Sequence, residues 1–303
     1  MLPWRRRQNQ DETADLQKKR CCRLPDSVGL YGIDGGIRKD SFLKNPGSGT
    51  GRKMQRVMLT VAYDGTNYNG WALQPGATTI EGMLNRAIHA LTGEEIRVIG
   101  ASRTDAGVHA YGNLAVFDTE SSIPGDRFSY ALNHMLPEDI RIVSSRQVPA
   151  EFHPRHCHSV KTYEYHILNS AYRIPTKRLY SCYNNMPMDV ERMNQAGRYL
   201  VGEHDFTSFC NVDSQAETHV RTLYEVSAAR QDDMIIIRVR GNGFLYNMVR
   251  IIAGTLMQIG RGKGTPEDIT QMLEKKDRGA AGPTAPACGL FLAGYEINVD
   301  NAE

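Results

Sequence analysis

Residues Ala101 to Tyr111, ASRTDAGVHAY, set one carboxylate, Asp105, two positions after Arg103 and two before Gly107. The segment is too polar for a core, and the apolar run Ile96 to Ala101 before it predicts a buried strand. Arg103, Asp105 and His109 therefore fall where a strand ends and the chain turns. Gly107 permits a tight turn or a close approach of backbone to ligand. An arginine beside a carboxylate lowers its pKa by about 1 to 3 units and fixes its direction. Such an aspartate is a poor proton donor, suited instead to act as a nucleophile or an electrostatic stabiliser. Taken alone, the string also reads as a turn whose Asp caps local amides and pairs with Arg103.

Three further places pair a reactive group with a matching environment. In VKTYEYHIL the alternation puts Lys161, Tyr163, Tyr165 and Ile167 on one strand face. Aromatics there serve as core or as platforms on which a base stacks, and a phenol adds a proton donor or acceptor. Arg250 lies in a mostly apolar helix, where a snorkelling or core-paired cation is the default reading. The run Phe152-His153-Pro154-Arg155-His156 is rich in histidine, but its spacing matches no zinc pattern, and a basic loop contacting phosphate fits it better. His204 to Phe209 and Gly289 to Leu292 read by default as packing segments.

The elements that must position these groups begin with a strand, Val57 to Tyr63, stopped by Asp64-Gly65-Thr66. Thr78 with Glu81 forms a capping box, and Ile80, Met83, Leu84, Ala87, Ile88 and Leu91 recur at helical spacing until Gly93. Strands follow at Ile96 to Ala101 and Leu114 to Asp118, a short helix over Asp126 to Met135, and a strand over Ile140 to Val148. The second half opens with a strand from Val160 to Leu168 and a helix behind Asp189. A hairpin then joins Val220 to Arg230 with Met234 to Arg240. An apolar stripe from Leu245 to Ile259 predicts a helix, Thr265-Pro266 starts another, and Leu290 to Ile297 closes the chain as a strand. Strict βαβ alternation is absent, so the class is α+β, two similar α/β subdomains sharing a largely antiparallel sheet. The expected divisions are 1–53, an extension; 54–150, the subdomain carrying Asp105; and 151–303, the second subdomain.

At 303 residues the chain suits one large or two moderate domains, and no apolar run reaches membrane-spanning length. Six cysteines without a C-x-x-C pair or a secretory signal point to a reducing, cytoplasmic setting rather than a disulfide framework or zinc site. Residues 1–53 hold 12 Lys/Arg against 6 Asp/Glu, which leaves the rest slightly acidic. Affinity for nucleic acid would therefore need local clustering of cations. The extension shows no sustained period and reads as disordered: an RNA-contacting arm, a transit peptide with too many acids, or an upstream addition before a true start at Met54.

Seven segments, YDGTNYNGW (63–71), SRTDAGVHAYG (102–112), FHPRH (152–156), KTYEY (161–165), GEHDFTSF (202–209), GFLYNMVRIIAGTL (243–256) and GLFL (289–292), closely resemble the tRNA pseudouridine synthase A family in order and spacing. The resemblance implies the pseudouridine synthase fold and isomerisation of uridine to pseudouridine at positions 38 to 40 of the tRNA anticodon stem-loop. It also implies a homodimer with neither metal nor organic cofactor. Asp105 matches the family's nucleophile, Tyr163 its active-site tyrosine, Arg250 the arginine paired with the carboxylate, and Leu290 an apolar pocket wall. Arg103 resembles the base-flipping arginine and Arg155 a tRNA contact, with Phe152 and His153 in an RNA-facing loop. A second such loop, Asp213 to Glu217, is acidic here. Ser102 stands where glycine is common, a change expected to be tolerated in an ordinary strand conformation, and Ala72 replaces a frequent glutamine.

Two rival readings remain at this stage. One is a tRNA-binding protein that has lost catalysis, against which the joint presence of Asp105, Tyr163 and Arg250 argues. The other is an Asp-dependent hydrolase using the histidines near His153, with a metal and hence sensitive to chelators.

Overall fold

The computed structural model describes residues 53–297, so the readings of the extension lie outside the described residues. The described residues form one compact unit. Its elements are β1 (Gln55–Tyr63), α1 (Ile80–Thr92), β2 (Ile99–Gly100), β3 (His109–Thr119), α2 (Phe128–Asn133), β4 (Ile140–Val148) and β5 (Ser159–Asn169), then β6 (Cys182–Asn184), α3 (Val190–Arg198), β7 (Gly202–Asp205), β8 (Val220–Gln231), β9 (Met234–Gly241), α4 (Met248–Gly260), α5 (Asp268–Lys275) and β10 (Leu290–Ile297).

All ten strands join one sheet in the order β4-β1-β3-β10-β5-β9-β8-β7, with β2 on β3 and β6 on β5. Every pairing is antiparallel except β10 with β3 and β5 with β6. Strands from residues 55–148 thus form one flank, strands from 159–241 the other, and β10 is inserted between them. Alternation along β9 buries Ile235, Ile237 and Val239 completely while Arg238 stays exposed, the signature of a sheet packed on one face. The main core runs unbroken through both flanks, from Val57 and Leu59 to Ile237 and Leu256.

Several boundaries differ from the sequence expectations, each for a local reason. The cap of α1 is Thr79, not Thr78: Thr79 is extended, and its hydroxyl accepts from the Gly82 N–H at 3.3 Å. Glu81 is buried instead of reaching back to the cap, and accepts from the Leu73 N–H and from Arg97. Gly93 ends the helix in the left-handed region, as expected. Only Ile99–Gly100 of the run from Ile96 pairs as a strand, because the Val98 N–H is taken by the Asn85 side chain at 3.0 Å. Gly202–Asp205, whose last two residues open the segment read as packing, is the edge strand β7, and neither it nor β6 was predicted. The helix expected from Leu245 starts at Met248, behind Asn247 in the left-handed region, and the one expected from Thr265 starts at Asp268.

Candidate active site

The loop between β2 and β3 is pinned from several sides, although its polar sequence suggested an exposed segment. Ala101, Ser102, Thr104 and Val108 are buried, and only Arg103 and Ala106 are exposed. The Trp71 N–H donates to Thr104 O at 3.0 Å, and the Gly107 N–H to Tyr68 O at 3.2 Å. Gly107 has φ +76, which closes the turn behind Asp105. Gly70 (φ +85) lies so near that a Cβ there would stand 2.5 Å from Thr104 O, so the turn before α1 and the loop fit only without a side chain. Asp105 is thereby fixed at the edge of a cleft of about 960 Å³ lined by both flanks.

Arg250, in the first turn of α4, reaches Asp105 from the other flank. Its Nη1 donates to Asp105 Oδ2 at 3.2 Å and to Asn247 Oδ1 at 2.9 Å, while its Nε donates to Ala285 O at 2.8 Å. A cation in the first turn of a helix is disfavoured by the helix dipole, and three acceptors hold it there. The loop supplying Ala285 lies against α4 because Gly254 has no side chain: a Cβ there would stand 1.8 Å from Pro283 O. The pair is largely shielded, with 20% of the Asp105 side chain and 17% of the Arg250 side chain exposed. The sequence led us to expect a lowered carboxyl pKa through Arg103. Instead burial pushes Asp105 above its ordinary value, and Arg250, not Arg103, pulls it partly back.

Tyr163 stands on the face of β5 that also bears Lys161, as the alternation predicted, and both line the cleft. Its ring meets Phe244 edge-on at 5.0 Å, and burial pushes its phenol up to about 12. Leu290 is buried and completes the same wall from β10. Tyr165, two residues on, is core: its hydroxyl donates to Pro286 O at 2.8 Å.

Four cations, Arg103, Arg155, Lys161 and Arg221, border this cleft, and none forms an ion pair among the described residues. Arg155 donates through Nε to Gly100 O at 2.8 Å, and Arg103 lies close enough to lower its pKa together with burial. The local clustering that the acidic folded part required is therefore present. His153 stacks on His156 at 4.1 Å beside Arg155. Phe152 departs from the expectation of an RNA-facing side chain: it is 0% exposed, packed with Met58, Leu114, Val116 and Val148, and has no path to a ligand.

His109, grouped in the sequence with Arg103 and Asp105, is structural. Leu179 O, which can only accept, stands 3.0 Å from Nε2, so Nε2 carries a proton; Nδ1 lies 3.1 Å from both the Gly65 N–H and Asp64 Oδ1, and burial lowers the pKa against the pull of Asp64. Asn247 and Arg221 were missed by the sequence reading. Asn247 had a signal, since it precedes Arg250 by three positions and so shares its helical face; Arg221, in an alternating strand, had none. Among the described residues no group of three or more His, Cys, Asp and Glu side chains gathers as a metal site.

A largely buried carboxylate–guanidinium pair beside a phenol, in a cleft bordered by unpaired cations, is an arrangement suited to chemistry on a polyanion. The family profile described as tRNA pseudouridine synthase matches residues 59–156 and 196–296. The tRNA pseudouridine synthase A of Acetivibrio thermocellus is 49% identical over 239 residues, 79% of this chain and 98% of the relative. That of Ruminiclostridium cellulolyticum is 48% identical over 240 residues, again 79% and 98%, and that of Brevibacillus brevis 46% over 239. The chain belongs to the tRNA pseudouridine synthase family.

Proposed function

We propose that this protein isomerises uridine to pseudouridine at positions 38 to 40 of the tRNA anticodon stem-loop, with Asp105 as the nucleophile. The observation that carries the reading is the Asp105–Arg250 pair beside Tyr163 in a cleft bordered by unpaired cations. Asp105 attacks the target nucleoside, the glycosidic bond breaks, the uracil turns and re-bonds to the sugar through C5, the bond to Asp105 breaks and returns the free carboxylate, and C5 then loses its proton. Arg250 holds the carboxylate in its ionised form and in one direction. Tyr163 stacks on the uracil and assists proton transfer, with Leu290 as the apolar wall.

A paired uridine must leave its helix before these groups can reach it, at a cost of a few kcal/mol. Arg103, exposed beside Asp105, fills the vacated space, since a planar cation can stack and bind phosphate at once. Arg155 and His153 contact the RNA backbone. The protein acts as a cytoplasmic homodimer without metal or organic cofactor, and residues 54–150 and 151–303 serve as two subdomains across the cleft. The test is incubation with tRNA carrying tritium at uridine C5, with chelator present, alongside Asp105→Asn. Release by the wild type alone supports the reading. No release by folded, tRNA-binding protein points to a binding protein without catalysis, and release only without chelator points to metal-dependent chemistry.

A further inference from the structure

A buried polar cluster, outside the groups assigned above, holds the loop on which Asp105 sits. Its centre is Asn113, in the middle of β3 and 0% exposed. Asn113 Nδ2 donates to Ser102 O at 2.9 Å and to the Tyr63 hydroxyl at 3.4 Å. Asn113 Oδ1 accepts from the Ser102 N–H at 3.3 Å and from the Tyr295 hydroxyl at 2.9 Å. The carbonyl of Ser102 can only accept and its N–H can only donate, so the amide has one possible orientation. All its hydrogen-bonding capacity is used within the protein.

The neighbours extend the hold. The Tyr295 hydroxyl stands 2.6 Å from Ser102 Oγ, and the Tyr63 hydroxyl 2.7 Å from Thr104 Oγ1. Ser102 and Thr104, on either side of Arg103 and directly before Asp105, are thus tied to β1, β3 and β10 at once. The same Ser102 hydroxyl lies beside the Tyr163 phenol and favours its ionised form. Apolar side chains would fill the centre of a sheet at no desolvation cost, whereas a fully satisfied polar network selects one arrangement among several.

We infer that Asn113 is a positioning residue for the reaction: with Ser102 and Tyr295 it clamps the loop so that the Asp105 carboxylate faces both Arg250 and Tyr163. This inference rests on the reading of Asp105 as nucleophile. Ser102, expected merely to be tolerated, is one jaw of the clamp. Substrate binding depends on the bordering cations, not on the clamp, so the two effects separate.

The experiment measures single-turnover tritium release, tRNA affinity and melting temperature for wild type, Tyr295→Phe, Ser102→Ala, Ser102→Thr and Asn113→Ala. A small misplacement of reacting groups costs up to about a hundredfold in rate. Tyr295→Phe and Ser102→Ala should each slow release by about tenfold with affinity unchanged, and together no more than the slower single variant. Ser102→Thr restores the hydroxyl and the rate. Asn113→Ala should be slowest; if it does not fold, the other variants decide. Wild-type rates in Tyr295→Phe and Ser102→Ala, or losses that track affinity or melting temperature, overturn the clamp. A wild type that releases no tritium overturns the functional reading itself.

Discussion

Arg250 and Asp105 stand 145 residues apart in the chain and 3.2 Å apart in the molecule. Their bond joins the two flanks of the sheet, so the pair is completed only when both are folded. Arg250→Ala should slow single turnover by about a hundredfold or more and lower the melting temperature, because removing one partner leaves a buried charge alone. Arg250→Lys keeps the charge but cannot serve Asp105, Asn247 and Ala285 together, so it should recover little of the rate. Single-turnover kinetics with a thermal melt check both.

Arg103→Ala and Arg155→Ala should weaken tRNA binding with the fold intact. If each contacts one phosphate, each removal lowers the slope of log affinity against log salt by about one. Arg155→Ala also frees Gly100 O, so it should cost slightly more stability than Arg103→Ala. Filter binding over a salt series reads the slopes, and wild-type slopes in both would remove the assigned contacts.

Burial raises the Asp105 carboxyl above its ordinary 3.8, so the native protein keeps that proton to a higher pH than the unfolded chain does. The associated stability is complete below the unfolded value and is lost as pH rises through the raised one. Asp105→Asn cannot ionise. Its melting temperature relative to wild type should therefore climb as pH is raised above 3.8, and a difference that stays flat would contradict the shift. The acid limb of activity should likewise lie above the range of an ordinary aspartate.

Gly254→Ala places a Cβ against Pro283 O, and overpacking of this kind costs about 1 to 3 kcal/mol. Because Ala285 O holds Arg250, the displaced loop should also reduce the rate, with tRNA affinity retained. A melt combined with single-turnover kinetics distinguishes this from a purely structural effect, which would leave the rate of the folded fraction unchanged.

A protein starting at Met54 should be fully active on tRNA. The first segment of the resemblance begins at Tyr63 and the family profile at residue 59, and the relatives align over 79% of the chain. An inactive but folded truncation would assign the first 53 residues a function.

What the sequence revealed divides along a physical line. Elements carried by local periodicity, such as β4, the β8–β9 hairpin and β10, appear where the pattern put them. Misreadings fell where a tertiary contact captured a local group: Asn85 took the Val98 N–H, and Glu81 turned toward Leu73 and Arg97. Phe152 looked like part of a basic loop because spacing cannot show that one side chain of such a loop points inward. Asp105, Tyr163 and Arg250, singled out from their motifs, come together at the cleft. Asn113 was not, since nothing local separates a buried asparagine in a strand from a solvated one.

The position of β10 sets the order in which the cleft can be assembled during synthesis. The ribosome makes both flanks of the sheet before the strand that lies between them. Until Leu290–Ile297 emerges, β3 and β5 each lack a neighbour, Leu290 is missing from the pocket, and Tyr295 is missing from beneath the loop. A nascent chain thus holds its aspartate early and its working arrangement late. The cleft is therefore assembled in the reverse of the order its sequence suggests, with the central strand arriving after both of the flanks it joins.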